Sequence, residues 1–367
     1  MALQGKGFMI WQIARCEGGN ANAIATAAQA AGLTHVLLKI ADGIYSYNID
    51  KTTKVDLVPP VVQALRSKGI QVWGWHYVYG YNPAGEAAIA VQRVKQFNLD
   101  GYVIDAEAEY KLPGRDVAAR RFMDDLRKGL PNTPVALCSY RFPTYHPQLP
   151  WKDFLNKCDY NMPQVYWQSA HNPDAQLRRC VREFQAISPS RPIIPTGPVY
   201  KAGDWQPTPA DTLEFLNSAR AQNLSAANFF EWYYARTIMK PVWDTIAGYP
   251  WSSTPAPVDL VQQYINALNT RNPANVAALY TPSAIHITAA QSIQGVEPIR
   301  IWYTSLLNDK LPNATFKLTA VGGSGATRQF TWTATSTKGK VLNGSDTIGI
   351  QNGKIAYHYK FFTITAP

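Results

Sequence analysis

The sequence predicts an α/β protein: a TIM (β/α)8 barrel followed by a smaller α+β domain. Three observations carry the prediction. Short β-branched apolar runs alternate with helical patterns through the first part of the chain, the rhythm of parallel strands joined by crossover helices. A Pro- and Ser-rich stretch, Tyr249-Pro250-Trp251-Ser252-Ser253-Thr254-Pro255-Ala256-Pro257, then interrupts all periodicity. It divides the 367 residues into about 249, the usual size of such a barrel, and about 110. Beyond it helical patterns lead into a run of strands, closing on Asn352-Gly353, a strong hairpin signal.

In the barrel segment, residues 1–249, strands are expected near Gly7–Cys16, His35–Gly43, Gln71–Gly80, Gly101–Tyr110, Pro134–Pro143, Tyr160–Gln168, Pro192–Tyr200 and Asn228–Ala235. The Ala-rich run Ala21–Ala31 stops at Gly32, and Val58–Lys68 stops at Gly69, as helices do. After the linker, 250–257, the domain 258–367 opens with an amphipathic helix, Val258–Arg271. Its apolar face is Val258, Val261, Ile265 and Leu268. Asn272-Pro273 breaks it and starts a second helix, Ala274–Tyr280. Ala284–Thr288 reads as a short strand and Glu297–Leu307 as a third helix. Strands at Thr315–Gly322, Arg328–Ser336, Val341–Gln351 and Lys354–Ile364 make an antiparallel sheet beneath the helices.

Composition narrows the function. Apolar residues make up 46% and aromatics 12%, which excludes a disordered chain. There is no run of about 18 apolar residues, so no membrane span is expected. The formal net charge is +10, yet charged residues are only 16%, and basic residues come at most in pairs such as Arg120-Arg121 and Arg178-Arg179. Nucleic-acid binders concentrate their Lys and Arg, so no nucleic acid partner is expected. The excess of basic over acidic residues is five on each side of the linker. Cys16, Cys138, Cys158 and Cys180 lack metal-binding spacing. They read as buried thiols, or, in an exported protein, as one disulfide from Cys158 to Cys180. No signal peptide is visible at Met1-Ala2-Leu3-Gln4-Gly5, which leaves the compartment open between the cytoplasm and an exported, trimmed form.

The segment Gly101-Tyr102-Val103-Ile104-Asp105-Ala106-Glu107-Ala108-Glu109-Tyr110 carries the chemistry. In a strand, Val103, Asp105, Glu107 and Glu109 share one face, with the carboxylates at the C-terminal mouth where barrels hold their active sites. Crowded acids repel, which raises at least one pKa into the range of a general acid. Strand neighbours on one face are roughly 6–7 Å apart, a spacing near that of an inverting glycosidase pair. A solvated acidic strand end and a metal site are the alternatives. Other strand ends offer Trp11, Lys39, Asp42, Trp75, Tyr77, Tyr140, Gln164, Glu231 and Trp232: aromatic faces for sugar rings, interspersed with polar groups for hydroxyls. Asp105 and Glu107 are therefore the catalytic candidates, and Glu109, Glu231 and the rest the substrate-binding ones. His76 alone reads as a core histidine held by hydrogen bonds. No Gly-rich phosphate loop and no Gly-x-Ser-x-Gly elbow is present, so neither a nucleotide cofactor nor acyl transfer is indicated. No cofactor or metal is called for.

These residues bring a family into view. Val36-Leu37-Leu38-Lys39-Ile40-Ala41-Asp42-Gly43, Gly74-Trp75-His76-Tyr77, Asp105-Ala106-Glu107 and Val135–Tyr140 resemble the second to fifth strands of the family 25 glycoside hydrolases, the lysozyme-type muramidases. The resemblance spans roughly residues 7–143. It implies cleavage of N-acetylated glycans such as peptidoglycan, with Glu107 as general acid and Asp105 orienting an acetamido group or activating water. That family ends its first strand on an aspartate, whereas Met9-Ile10-Trp11-Gln12-Ile13 has none. A degenerate barrel that binds carbohydrate or serves as a scaffold is thus the alternative. Val258–Ile364 resembles the SnoaL-like, nuclear transport factor 2-like superfamily through Arg271-Asn272-Pro273-Ala274, Leu279-Tyr280-Thr281-Pro282, Gln294-Gly295-Val296-Glu297-Pro298-Ile299 and Gly353-Lys354-Ile355. That resemblance implies a cone with a pocket, used for small-ligand binding or for a homodimer. His286, Tyr303, Asp346 and His358 are its candidate pocket residues, with no acid–base pair evident among them.

Overall fold

The computed structural model describes residues 3–251, 260–322, 327–351 and 353–366. The chain divides into two compact units, Met1–Ala256 and Pro257–Pro367.

The first unit contains β1 (Gly5–Ile10), β2 (His35–Asp42), the two-residue β3 (Tyr45–Ser46), β4 (Gln71–Val78), β5 (Gly101–Ala106), β6 (Val135–Cys138), β7 (Tyr160–Asn161), β8 (Thr196–Pro198) and β9 (Ala226–Phe230). Eight of these pair in parallel in the order β7-β6-β5-β4-β2-β1-β9-β8, and β3 pairs antiparallel with β2. The result is a curled parallel sheet. Between its two outer strands there is no continuous ladder: single bridges join Asn161 of β7 to Ile193, before β8, and Gln164, past β7, to Thr196 of β8. Parallel strands are covered on both faces, which is why β2 reads His-Val-Leu-Leu-Lys-Ile-Ala with every residue buried.

Nine helices of this unit are α1 (Ala21–Ala30), α2 (Val58–Ser67), α3 (Pro83–Phe97), α4 (Arg115–Gly129), α5 (Trp151–Leu155), α6 (Pro173–Gln185), α7 (Pro209–Ala221), α8 (Trp232–Thr237) and α9 (Lys240–Gly248). Their starts are written locally. Asn20 and Asn82 accept from the backbone N–H groups of Ala23 and Gly85, and Thr208 forms a capping box with Asp211. α2, α3, α6, α7 and α9 carry Pro in their first turn, where a missing N–H costs nothing. The outer face of the sheet packs on these helices through residues such as Phe8, Ile40, Ile104 and Phe229. The inner face has its own core of Met9, Leu37, Trp73, Trp75, Val103 and Ile194. Large rings fit there because the positions facing them are glycines. A Cβ at Gly7 would come within 2.1 Å of the His35 ring, and one at Gly101 within 2.4 Å of the Trp73 ring.

Every expected barrel strand has a counterpart, but most are shorter than expected at the mouth. The fourth stops at Ala106, not Tyr110, and the sixth is only Tyr160–Asn161. Aromatic residues just past a strand have the composition of a strand without its hydrogen-bond ladder. All four cysteines are buried and free, so the alternative of a Cys158–Cys180 disulfide is not formed.

The second unit has α10 (Leu260–Asn269), α11 (Pro273–Ala277) and α12 (Val296–Ser305) against a six-stranded sheet. The sheet comprises β10 (Tyr280–Ile287), β11 (Ser292–Gln294), β12 (Thr315–Gly322), β13 (Thr327–Thr335), β14 (Lys340–Gln351) and β15 (Lys354–Phe361), in the order β11-β10-β15-β14-β13-β12. Val261, Ile265 and Leu268 of α10 are buried as their spacing predicts. The expected Val258 and most of the linker lie outside the described residues, as does Asn352. Gln351 nonetheless pairs with Lys354 across a two-residue connection whose Gly353 has φ 74°. One feature departs from the antiparallel expectation: β10 runs parallel to β15. These strands are far apart in sequence, so no hairpin dictates their direction.

Candidate functional site

The registers of β2, β4, β5 and β6 align Lys39 with Trp75, Tyr77 with Asp105, and Asp105 with Cys138. These alternating inward positions end at the C-terminal mouth of the sheet. Past Ala106 the chain leaves strand geometry at Glu107 (φ −130°, ψ −129°) and enters a short 3-10 turn, Ala108–Lys111. The expected alternation therefore does not run on to Glu109, and the roughly 6–7 Å strand spacing does not apply between the acids.

Instead, Asp105 and Glu107 converge on one amide. Gln164 Nε2 donates to Asp105 Oδ1 at 3.1 Å and to Glu107 Oε1 at 2.8 Å, which holds the two carboxyls side by side. The Cys138 sulfur, registered beside Asp105, also accepts from Gln164 Nε2 at 3.7 Å. Asp105 is buried and Glu107 half-buried. Burial first, and then the Glu107 charge, push the Asp105 carboxyl well above the usual carboxylate range. Burial likewise raises Glu107, against the Gln164 hydrogen bond, which favours its charged form. Two raised carboxyls held side by side disfavour double ionisation, so their titrations are linked.

Around this pair stand most of the other expected residues. Glu109 accepts from the Tyr77 hydroxyl at 2.8 Å. Lys39 pairs with Asp42 at 2.5 Å, and Asp42 also accepts from the Tyr79 hydroxyl at 2.7 Å. The Lys39 ammonium sits 4.9 Å from the Trp75 ring, 4.4 Å from Tyr47 and 5.9 Å from the exposed Trp11. Its field favours the charged form of Asp105. Trp75 is itself buried and donates to the Ile10 carbonyl at 3.1 Å. Tyr140 stacks on His146 with ring centroids 3.8 Å apart and lies under Lys111.

Two expected residues lie elsewhere. Glu231 is buried and spends its carboxylate as the N-cap of α8, accepting from the backbone N–H groups of Tyr233 and Tyr234 at 3.3 and 3.1 Å. Trp232 is fully buried against Phe8 and Trp243, on the helix side of the sheet. Glu231 ends the last strand and begins a helix, so the same residue that looks like a mouth acid answers a helix's need for a cap. His76 is a core residue: Nδ1 meets the Tyr102 hydroxyl and Nε2 the Gly43 carbonyl, and burial lowers its pKa to about 4. Sequence reasoning missed Tyr47, Tyr79 and Lys111, which come from turns beyond the strands. Among the described residues no group of His, Cys, Asp and Glu is arranged to hold a metal, and no helix is long and apolar enough to cross a membrane.

The second unit has a different buried cluster. Lys360 Nζ donates to Asp346 Oδ2 at 2.8 Å and to the Tyr264 hydroxyl at 2.9 Å. Hydroxyl contacts run on from Tyr264 to Tyr303 (2.9 Å), from Tyr303 to Tyr280 (2.8 Å), and from Tyr280 to His358 Nδ1. His358 Nε2 returns to Asp346 Oδ2 at 2.9 Å, and Trp332 Nε1 donates to Asp346 Oδ1. The cluster is a closed circuit of hydrogen bonds, with His286 Nδ1 meeting the Tyr280 hydroxyl from the side at 3.4 Å. An interior acid–base pair therefore exists that no sequence pattern announces, because β14 and β15 register Asp346 against Lys360 and place His358 two residues away. Burial alone would raise Asp346, but the Lys360 charge and the His358 hydrogen bond hold it below the usual range. His286 is buried too, and its Nε2 has no partner among the described residues.

Residues 261–358 match the family model of the SnoaL-like domain. Solved structures similar to this SnoaL-like part include an NTF2-like protein of unknown function from Cytophaga hutchinsonii: 16% identity, 29% of this chain and 88% of that chain, TM-score 0.25. An LEH-like epoxide hydrolase from M. tuberculosis is 16% identical over 28% of this chain and 80% of its own, with TM-score 0.25. An NTF-2 like protein of unknown function from Burkholderia xenovorans is 15% identical over 29% and 84%, also at 0.25. No curated protein matches the chain.

Proposed function

We propose that the first unit is a closed TIM (β/α)8 barrel that hydrolyses glycosidic bonds of a polysaccharide, peptidoglycan being the first substrate to test. One observation carries the reading: Asp105 and Glu107 share a single amide donor at an aromatic-rich mouth. Bridges from Asn161 to Ile193 and from Gln164 to Thr196 support closure of the sheet. The motif resemblance over residues 7–143 supports the chemistry. Glu107, half-buried and raised, is the general acid that protonates the leaving oxygen. Asp105 lies too near Glu107 to hold a water on the opposite sugar face, the arrangement of an inverting pair. Its role is to orient a neighbouring acetamido group. The test is release of reducing sugars from a panel of N-acetylated glycans. Wild type releases product and Glu107→Gln does not; no product from any glycan would leave a binding barrel.

A second reading applies to the SnoaL-like domain, favoured by the unpartnered His286 Nε2 beside the Asp346–His358 circuit. A cavity of about 380 Å³ nearby is lined by Trp302 and Lys360, and Trp302 lies 4.6 Å from the His286 ring. We infer a small-molecule site there. Native mass spectrometry of the full chain is expected to show a bound molecule that His286→Leu loses; equal spectra would contradict it.

A further inference from the structure

The mouth of the first unit continues past Gln164 into a second recess. A cavity of about 370 Å³ is lined by Tyr140, Arg141, His146, Gln164 and Tyr166, among others. Gln164 is thus a shared wall: one side holds the two carboxylates, the other faces this recess. Arg141 is half-buried in it, and its guanidinium donates no hydrogen bond to any described residue. That is unusual within the same unit. Arg93, Arg127, Arg179, Arg191 and Arg236, all partly or fully buried, each donate to a carboxylate or carbonyl oxygen. Two more basic groups flank the recess. Lys111 Nζ lies 4.6 Å from the Tyr140 ring, and His146 stacks on that ring at 3.8 Å and feels the charges of both Lys111 and Arg141.

An arginine held in a partly desolvated recess with its nitrogens uncommitted is a ready receptor for an anion. Its planar fork matches a carboxylate in bidentate fashion. The carboxylates across Gln164 repel such an anion, so it is fixed on the Arg141 side and the sugar on which it sits is oriented. We propose that Arg141, flanked by Lys111 and His146, forms a subsite for a carboxylate carried by the sugar next to the cleaved bond. The barrel would then act on acidic and not neutral glycans. The proposal rests on the glycosidase reading above and specifies its substrate class.

The test uses the full chain and two probes: a free-acid N-acetylglucosamine–N-acetylmuramic acid tetrasaccharide and its neutral, carboxyl-reduced form. Affinities are measured by calorimetry in the Glu107→Gln background, so that cleavage does not intervene, with and without Arg141→Gln and Arg141→Lys. The expected result is at least a tenfold preference for the free acid. Arg141→Gln collapses that preference to about twofold or less, while Arg141→Lys retains part of it. A preference below twofold in the parent, or one that survives Arg141→Gln, would overturn the proposal. Should Arg141→Gln fail to fold, as judged by its melting curve, the Arg141→Lys ratio and the parent preference still decide. Turnover by wild type tests the underlying reading separately. Product without an Arg141-dependent preference removes the subsite alone, and preference without product removes the glycosidase reading alone.

Discussion

Both units bury an aspartate among titratable partners, and they treat it in opposite ways. In the first unit Asp105 faces another acid, an amide and a thiol, with Lys39 acting only through its field. In the SnoaL-like domain Asp346 is bonded to Lys360, His358 and Trp332, all within 2.9 Å. One environment pushes the carboxyl toward its neutral form, the other holds it ionised. The difference is that between a group poised to exchange a proton and one locked as the centre of a buried ion cluster.

The largest expected effect probes the poised pair. Glu107→Gln should lower kcat by at least about 100-fold, the usual contribution of a positioned general acid. Its melting temperature should hold or rise, because one of two crowded carboxylates is gone. Initial rates and a thermal scan check both halves. The locked cluster should respond the other way. Lys360→Met strands the Asp346 charge in the interior and should destabilise the SnoaL-like domain by about 3–5 kcal/mol, read by denaturant unfolding. Gln164→Leu should reduce kcat roughly ten- to a hundredfold through misplacement of the pair. It also removes a hydrogen bond that favours ionised Glu107, so the basic limb of the pH–rate profile should move to higher pH.

The pH dependence of stability sharpens the contrast. Asp105 and Glu107 have raised pKa values, so above the ordinary carboxylate range of about 4 the native state retains protons that the unfolded chain has released. Stability from this pair is present at low pH and lost as pH rises through that window. Asp346 is lowered, and its contribution is present above the ordinary range and lost as pH falls. Asp105→Asn should therefore gain stability relative to wild type as pH rises from about 4 to 8, in paired melting curves. The smallest effect concerns Glu231. As a helix cap its replacement by Ala should cost about 1 kcal/mol; loss of turnover without loss of stability would instead assign it to the proposed site at the mouth.

Much of this was legible in sequence because it follows from spacing. Periodicity and Pro-rich punctuation located the strands, α1, α2 and α10, and Asp105 and Glu107 stood out as acids at a strand end. What could not be read were features that depend on where the backbone leaves regular geometry. Glu107 bends away from the strand, which is how it reaches the amide that Asp105 uses. Glu231 turns into a helix cap because the last strand stops at Phe230. Lys111, Tyr47 and Tyr79 arrive from turns. The circuit in the SnoaL-like domain arises from cross-strand register between Asp346 and Lys360, which are fourteen positions apart in sequence.

The linked titration of Asp105 and Glu107 is observable directly. Carboxyl ¹³C NMR of the full chain, with Asp105→Asn and Glu107→Gln used for assignment, follows the titration of each acid. Coupled curves are expected, with at least one carboxyl still protonated well above the ordinary carboxylate range and returning toward that range when its partner is neutralised by substitution. Two independent curves at ordinary carboxylate values would contradict it.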